Sequence, residues 1–65
     1  MASHILKHFH FEHLPGDLQA VSRPFGEMAR QFDAEIPDCP EKSAGLRKLL
    51  EAKDCMVRAR LETKQ

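Results

Sequence analysis

The stretch Glu35-Ile36-Pro37-Asp38-Cys39-Pro40-Glu41 decides the fold, because it separates two segments with helical periodicity. A residue that precedes proline is steered away from helical dihedral angles, so the first helix should end near Ile36. Pro40 suits the first position of a new helix, where its missing N–H is not needed, and Glu41 lies favourably in the first turn. The stretch therefore predicts two helices joined by a short turn, an αα-hairpin.

Apolar residues recur at helical spacing on both sides of this turn, and each set forms one stripe along a helix. The periodicity predicts a first helix over residues 17–36 and a second helix over residues 40–62. Residues 1–16 form a short N-terminal segment that ends in turn chemistry, Pro15-Gly16-Asp17. The stripes are formed by Val21, Phe25, Met28, Ala29, Phe32 and Ile36, and by Leu46, Leu49, Leu50, Val57 and Leu61.

Pro24 lies within the first stripe and complicates the start of the first helix. A proline in a helix interior removes a backbone donor and costs about 3 kcal/mol, whereas proline is tolerated in the first turn. We therefore expect either a regular helix that begins late, at Ser22 or Arg23, or a helix from Asp17 that kinks at Pro24.

The chain has 65 residues, so we expect a single small all-α domain over residues 1–65. A chain of this length buries only about 60% of the surface that its unfolded form exposes, and such domains usually need disulfides, a metal or association with other chains. Two cysteines are too few for a disulfide scaffold, so Cys39 and Cys55 are expected to be reduced thiols. One hairpin cannot cover both apolar stripes, and we expect a homo-oligomer.

Ten Lys or Arg residues balance ten Asp or Glu residues. A protein that binds DNA or RNA polymers normally carries a clear basic excess, because phosphate neutralisation supplies most of its affinity. Small anionic ligands need only a few local cations. No apolar run approaches the ~20 residues that span a bilayer, and residues 1–10 lack the apolar core of a signal peptide. We expect a cytosolic protein that binds neither nucleic-acid polymers nor a membrane.

Enzymatic and metal chemistry find little support in the sequence. His4 and His8 are four residues apart and would share a helix face, with His10 and His13 nearby. A zinc site could use these nitrogens, but no cysteine lies near them and no HExxH motif is present. No glycine-rich phosphate loop, nucleophile elbow or catalytic carboxylate pair is recognisable. We expect no catalysis, no cofactor and no metal.

Basic residues near aromatic rings are the better candidates for ligand binding. Arginine holds phosphate through two parallel hydrogen bonds, and phenylalanine stacks on nucleobases. Phe9 and Phe11 alternate with histidines in the N-terminal segment, and the mixture suits a nucleobase; His13 belongs to this group. Equally, Phe9 and Phe11 could pack on the hairpin, and each basic residue could belong to the solvated surface. The basic residues in question are Arg23, Arg30, Arg47, Lys48, Lys53, Arg58 and Arg60.

The run EIPDCPEKSAGLRKLLEA, residues 35–52, resembles the hairpin signature of small phage proteins that sequester the cyclic oligonucleotide messengers of bacterial CBASS immunity. That signature joins a Pro-Asp turn to a Leu-, Lys- and Glu-rich helix. A related branch with the same hairpin sequesters cyclic ADP-ribose isomers of Thoeris immunity. Upstream, Phe9-His10-Phe11 is similar to the family's Phe-x-Tyr, and the resemblance covers residues 9–60. The first-helix pattern is matched by Phe25, Glu27, Met28 and Ala29.

The resemblance implies a helical protomer, assembled into a hexamer, that binds cyclic di- and trinucleotides without cleaving them in the cytoplasm of the host bacterium. Phe11 takes the position of the aromatic residue that stacks on a base, although it lacks the hydroxyl. Ser22 aligns with the family's phosphate-holding cation, and Arg23 follows one residue later. Arg58 or Arg60 would substitute for the C-terminal arginine of the trinucleotide pocket.

Two alternatives remain open at the level of sequence. Arg47 stands where the family has threonine, and Arg47 and Lys48 become the phosphate ligands if the shortened loop before Phe25 shifts the register. The competing function is a small helical interaction or regulatory module without a nucleotide ligand, which would bind a protein through its apolar stripe.

Overall fold

A computed structural model describes residues 4–63 of the chain. A 3-10 helix, His4–Phe9, is followed by α1, Gly16–Glu35, and α2, Pro40–Thr63, with no strand among the described residues. The all-α fold with an N-terminal segment and a two-helix hairpin is thus confirmed. Residues 1–3 of the predicted N-terminal segment lie outside the described residues. No helix within residues 4–63 combines the length and apolarity that a bilayer span requires.

The first helix begins earlier than the late start that we considered for it. It starts at Gly16, and the backbone amide of Gln19 donates to the Pro15 carbonyl at 2.8 Å, so a start at Ser22 or Arg23 is wrong. Pro24 lies inside the continuous helix. Because Pro24 has no N–H, the Ala20 carbonyl receives no helical hydrogen bond. Both residues are exposed to solvent, so water can donate a hydrogen bond to that carbonyl.

The hairpin turn is held by a single lysine that reaches back across it. The Lys42 ammonium donates to the backbone carbonyls of Asp33 and Ile36 at 2.9 and 2.7 Å. It also pairs with the carboxylates of Asp33 and Asp38 at 3.1 and 2.9 Å, and its side chain is largely buried. These contacts satisfy a carbonyl of the last turn of α1, which has no partner within the helix.

This arrangement shifts the pKa values of Asp38 and Lys42. The hydrogen bond and charge of Lys42 lower the pKa of Asp38, and the hydrogen bond to Asp38 raises the pKa of Lys42. Lys42 therefore links the end of α1 to the start of α2 as a charged group.

The N-terminal segment packs on one side of the hairpin. Phe9 is fully buried against Ala29 of α1 and Leu46 of α2. Gly26 lies directly under the segment: a Cβ at this position would sit 2.9 Å from the Phe9 carbonyl oxygen and 3.2 Å from the Phe11 ring. Small residues on α1 thus make room for two phenylalanines, and the packing interpretation is confirmed for both Phe9 and Phe11, which are 0% and 6% exposed. Partly buried residues that surround this core are Ile5, Leu6, Phe25, Leu49 and Leu50.

The opposite side of the hairpin stays uncovered. Gly26 and Met28 are two residues apart, so their side-chain directions point to nearly opposite sides of α1. We call the uncovered side the open face; it comprises Phe25, Met28, Phe32 and Ile36 of α1 with Leu49 and Met56 of α2. Met28 and Phe32 remain 40% exposed and Met56 52%. The predicted stripe of α1 is therefore only partly buried, because the N-terminal segment covers the side that carries Ser22, Gly26 and Ala29.

Candidate anion-binding site

A groove lies between the N-terminal segment and α2. Its volume is about 380 Å³, which is within the range of small-molecule sites, although it is open to solvent. One wall comes from the segment and the other from the second half of α2. The lining residues are Lys7, His8, His10, His13, Leu14, Lys53, Asp54, Val57 and Arg58.

The positions of the segment's side chains follow from local hydrogen bonds. The His10 amide donates to the Lys7 carbonyl at 3.5 Å, and the Leu14 amide donates to the Phe11 carbonyl at 3.0 Å, so the chain turns twice within eight residues. The side-chain amide of Gln19 donates to the carbonyls of Glu12 and Leu14 at 3.0 and 3.4 Å. The start of α1 thereby fixes the loop that carries the histidines.

Positive charge exceeds negative charge in this groove. Lys53 forms an ion pair with Asp54 at 2.8 Å, and Asp54 is the single carboxylate of the lining. Arg58 contacts the Cys55 sulfur at 3.4 Å, and within residues 4–63 no carboxylate pairs with Arg58 or Lys7. The groove thus presents two uncompensated cations and three imidazoles, a combination suited to an anionic ligand with polar rings.

A second cationic cluster lies on α1. The Arg23 guanidinium carbon is 5.3 Å from the centre of the Phe11 ring, and that of Arg30 is 6.0 Å from it. Cation–π contacts of this kind orient guanidinium groups while they remain accessible to anions. Both arginines are exposed, whereas the residue Phe11 is only 6% exposed.

A carboxylate borders this second cluster. The pKa of Glu12 is lowered by its own backbone amide, then by the amide of Phe11 and by the charges of Arg30 and His10. Glu12 therefore places a negative charge near Arg30.

The structure brings together two pairs of the residues predicted as ligands. Phe11 and Arg23 are in contact, and His13 and Arg58 line the same groove. Ser22 is fully buried, and its hydroxyl has no hydrogen-bond partner among the described residues, so solvent does not reach it in this conformation.

The remaining predicted ligands lie elsewhere. Arg47 and Lys48 are exposed and do not line the groove, and Arg60 borders an apolar groove beside Val21 and Phe25. Their ligand contacts stay predictions.

Sequence reasoning missed several residues of the two clusters. Lys7 was not considered for a ligand site, and Lys53 and Arg30 were named only within the general group of basic candidates. His8 and His10 were named for a metal site and for the mixture of side chains that suits a nucleobase, without a specific role. Arg30 follows Arg23 by seven residues, which is two helical turns, so helical spacing alone could have paired them. Lys7 and Lys53 offered no such signal, because tertiary packing brings them together.

Within residues 4–63, no three His, Cys, Asp or Glu side chains are grouped closely enough to hold a metal ion. Cys39 and Cys55 are free and exposed. Comparisons of the chain with models of protein families, with curated proteins and with solved structures find no match, so the arrangement of its own residues carries the functional argument.

Proposed function

We propose that the chain is a phage anti-defence protein that binds cyclic nucleotide immune messengers and sequesters them, without cleavage, in the host bacterial cytoplasm. The observation that supports this function best is the groove with two uncompensated cations, Lys7 and Arg58, beside three histidines. The resemblance of residues 9–60 to the CBASS sponges supplies the ligand class. No cofactor takes part.

The charges of the groove suit a cyclic dinucleotide. Such a ligand carries two phosphodiester charges, and Lys7 and Arg58 extend from opposite walls, so each could hold one phosphate. Arginine adds a planar, two-pronged contact that lysine does not. His10 and His13 offer ring nitrogens that donate to or accept from base edges.

The cluster on α1 supports a second contact. Of Ser22 and Arg23, the two positions at the family's phosphate-holding cation, only Arg23 is exposed, and its guanidinium lies against the Phe11 ring. A base that stacks on Phe11 would have to displace the Arg23 guanidinium, so we propose that Phe11 acts mainly by supporting Arg23. A trinucleotide or a cyclic ADP-ribose isomer has further phosphates or hydroxyls that could reach this cluster.

The open face favours a second candidate, a protein-interaction module. Large apolar side chains such as Phe32 and Met56 are exposed there, and exposed apolar patches mark protein contacts. The two functions differ in their ligand: the sponge needs the cationic groove, whereas the interaction module needs only the open face.

A thermal-shift panel tests the sponge against its rival. Cyclic dinucleotides, cyclic trinucleotides and cyclic ADP-ribose isomers are each titrated into the folded protein until the ligand concentration reaches about 100 times its dissociation constant. A ligand at that excess stabilises the native state by about 2.7 kcal/mol, which in a domain of this size raises the melting temperature by about 10 °C or more. Chromatography of the released ligand should then recover it intact.

Variants locate the site. Arg58→Gln should weaken messenger binding at least tenfold, and Arg23→Ala should weaken it and flatten its salt dependence. Lys48→Gln removes the same charge from the exposed surface of α2 and tests the alternative register, in which Lys48 holds a phosphate instead of the groove residues. An absence of any shift across the panel contradicts the sponge, and equal losses in Arg58→Gln and Lys48→Gln contradict a site in the groove.

A further inference from the structure

We infer that the Lys53–Asp54 ion pair of the groove binds the Watson–Crick edge of guanine, so that guanine-containing cyclic dinucleotides are the preferred ligands. The inference rests on the proposed function, because it names the base that a messenger presents to the groove. Three observations support it: a carboxylate within a cationic lining, a lysine held against that carboxylate, and an arginine that leaves the carboxylate available.

Asp54 carries the wrong charge for a contact with phosphate. Its carboxylate lines the groove together with the cations of Lys7, Lys53 and Arg58, and it repels the phosphates that these cations attract. Like charges across a binding site lower affinity, unless the charged group makes a favourable contact of its own. An ionised carboxylate only accepts hydrogen bonds, and the uncharged donors of a nucleotide include the N–H groups of its bases. The position of Asp54 therefore points to a base edge that carries N–H groups.

Lys53 fixes the orientation of this carboxylate. The Lys53 ammonium lies 2.8 Å from Asp54 Oδ1, and both residues line the groove. The side chain of Lys53 is only 13% exposed, whereas that of Asp54 is 44% exposed and within reach of a ligand. An ammonium has three donors, so the ion pair leaves Lys53 able to donate again. The pair thus presents one donor group beside two acceptor oxygens.

Arg58 does not compete for Asp54. The two residues are four apart on α2 and share one side of the helix, a spacing that often produces an ion pair. The Arg58 guanidinium instead donates to the Cys55 sulfur at 3.4 Å, and within residues 4–63 Lys53 is the cation that pairs with Asp54. Arg58 therefore remains available for a phosphate about one helical turn away from the carboxylate.

Guanine matches the order of one donor and two acceptors. Its Watson–Crick edge presents in a row the O6 acceptor, the N1–H donor and the exocyclic amino donor. Lys53 donates to O6 in this arrangement, while the two oxygens of Asp54 accept from N1–H and from the amino group. A carboxylate that accepts two parallel N–H donors forms strong, charge-assisted hydrogen bonds with a defined geometry.

Other purines satisfy the ion pair less well. Adenine offers one amino donor and the N1 acceptor, so it makes at most two of the three hydrogen bonds and leaves one oxygen of Asp54 unpaired. Hypoxanthine, the base of inosine, keeps O6 and N1–H but lacks the amino group. A site that hydrogen-bonds an N–H group rejects the analogue without it, because the polar group of the site then stays unpaired. Cyclic ADP-ribose isomers, whose base is adenine, should therefore bind more weakly than guanine-containing messengers.

Calorimetric titration of the wild type with cyclic di-GMP, cyclic di-IMP and cyclic di-AMP measures this preference. The three ligands have the same backbone charge and differ only in the base. A hydrogen bond to a charged group is worth about tenfold or more in affinity, so cyclic di-GMP should bind at least about tenfold more tightly than either of the others. Affinities that agree within about threefold overturn the inference and leave the sponge intact. If none of the three binds, the inference is overturned, and the wider thermal-shift panel decides separately about the sponge.

Asp54→Asn separates a base contact from the overall charge of the groove. On charge alone, the loss of a carboxylate should strengthen the binding of all three ligands. If Asp54 accepts from guanine, Asp54→Asn should instead weaken cyclic di-GMP about tenfold, because the amide turns a donor toward the donors of the base, while cyclic di-AMP should bind at least as tightly as before. Tighter binding of cyclic di-GMP to Asp54→Asn overturns the inference.

Glu51→Gln is the matched control, since it removes the same charge from an exposed position of α2 outside the groove lining. This variant should change the affinities for the three ligands equally and keep their order. A loss of guanine preference in Glu51→Gln as large as in Asp54→Asn would overturn the role of Asp54. The comparison of the three ligands on the wild type requires no variant, so it tests the inference even if Asp54→Asn fails to fold.

Discussion

Gly26→Ala should destabilise this protein, although alanine is the better helix former. In an open helical position the exchange of glycine for alanine adds about 1 kcal/mol of stability. At Gly26 the new Cβ would lie 2.9 Å from the Phe9 carbonyl oxygen, which is backbone and cannot rotate away. The Phe11 ring approaches the same point at 3.2 Å, so the whole N-terminal segment has to move outward.

The expected magnitude follows from two opposing effects. Overpacking of a well-filled contact costs about 1–3 kcal/mol, against the gain of about 1 kcal/mol in helix propensity. The net loss is therefore up to about 2 kcal/mol if the segment stays docked, which corresponds to a fall in melting temperature of up to roughly 8–16 °C. If the segment detaches, the loss is larger, since burial of each phenylalanine contributes about 1.5–3 kcal/mol.

Circular dichroism melts of Gly26→Ala and Gly16→Ala provide the assay. A Cβ at Gly16 meets no atom within 4 Å, so Gly16→Ala should melt at or slightly above the wild-type temperature. Messenger binding should fall in Gly26→Ala alone, because the displaced segment carries one wall of the groove. A Gly26→Ala protein that melts as high as Gly16→Ala would refute the docking of the segment on α1.

Three further predictions concern the turn and the core. Lys42→Met keeps the approximate length of the side chain and removes its hydrogen bonds. It should lower the melting temperature by at least about 4–8 °C, the shift that corresponds to the net free energy of one hydrogen bond, about 1 kcal/mol. In a pH series, Asp38 should stabilise the fold above its ordinary pKa of 3.8, and this stabilisation should be lost as the pH falls through the lowered pKa. Lys42 should stabilise the fold below its ordinary pKa of 10.5, and this stabilisation should be lost as the pH rises through the raised pKa. Both losses should shrink in Lys42→Met, and an unchanged pH profile would contradict the ion pair. Leu46→Ala should lower the free energy of unfolding, measured in urea, by about 2–5 kcal/mol because Leu46 is buried. Leu61→Ala should lower it clearly less, because Leu61 is half exposed; equal losses would place Leu46 outside the core.

Most of the fold could be predicted from the sequence because its signals are local. The Pro37 and Pro40 turn and the 3.6-residue periodicity placed α1 and α2 within one residue of their observed bounds. Pro24 suggested the alternative start at Ser22 or Arg23, which is wrong because a local cost of about 3 kcal/mol was weighed without the tertiary packing that supports the whole helix.

The candidate site was less accessible to sequence reasoning. The resemblance named both Phe11 and Arg23 as ligand residues, and the structure places the two side chains in contact; their roles toward a ligand stay predictions. Lys7 and Arg58, however, are some fifty positions apart, and only the docking of the N-terminal segment brings them to one groove. Side chains that meet through tertiary packing leave no periodic signal along the chain.

The docked segment also determines the order in which the molecule can assemble. The hairpin closes through contacts between helices that are adjacent along the chain, and such local contacts form early. Phe9 can enter its place only when Ala29 and Leu46 already lie side by side, so the cationic groove is completed last. Since few backbone hydrogen bonds hold residues 9–14, we expect these contacts to open before α1 does in the native protein. Backbone amides of residues 9–14 should exchange with deuterium faster than those of α1, and an anion in the groove should slow them selectively.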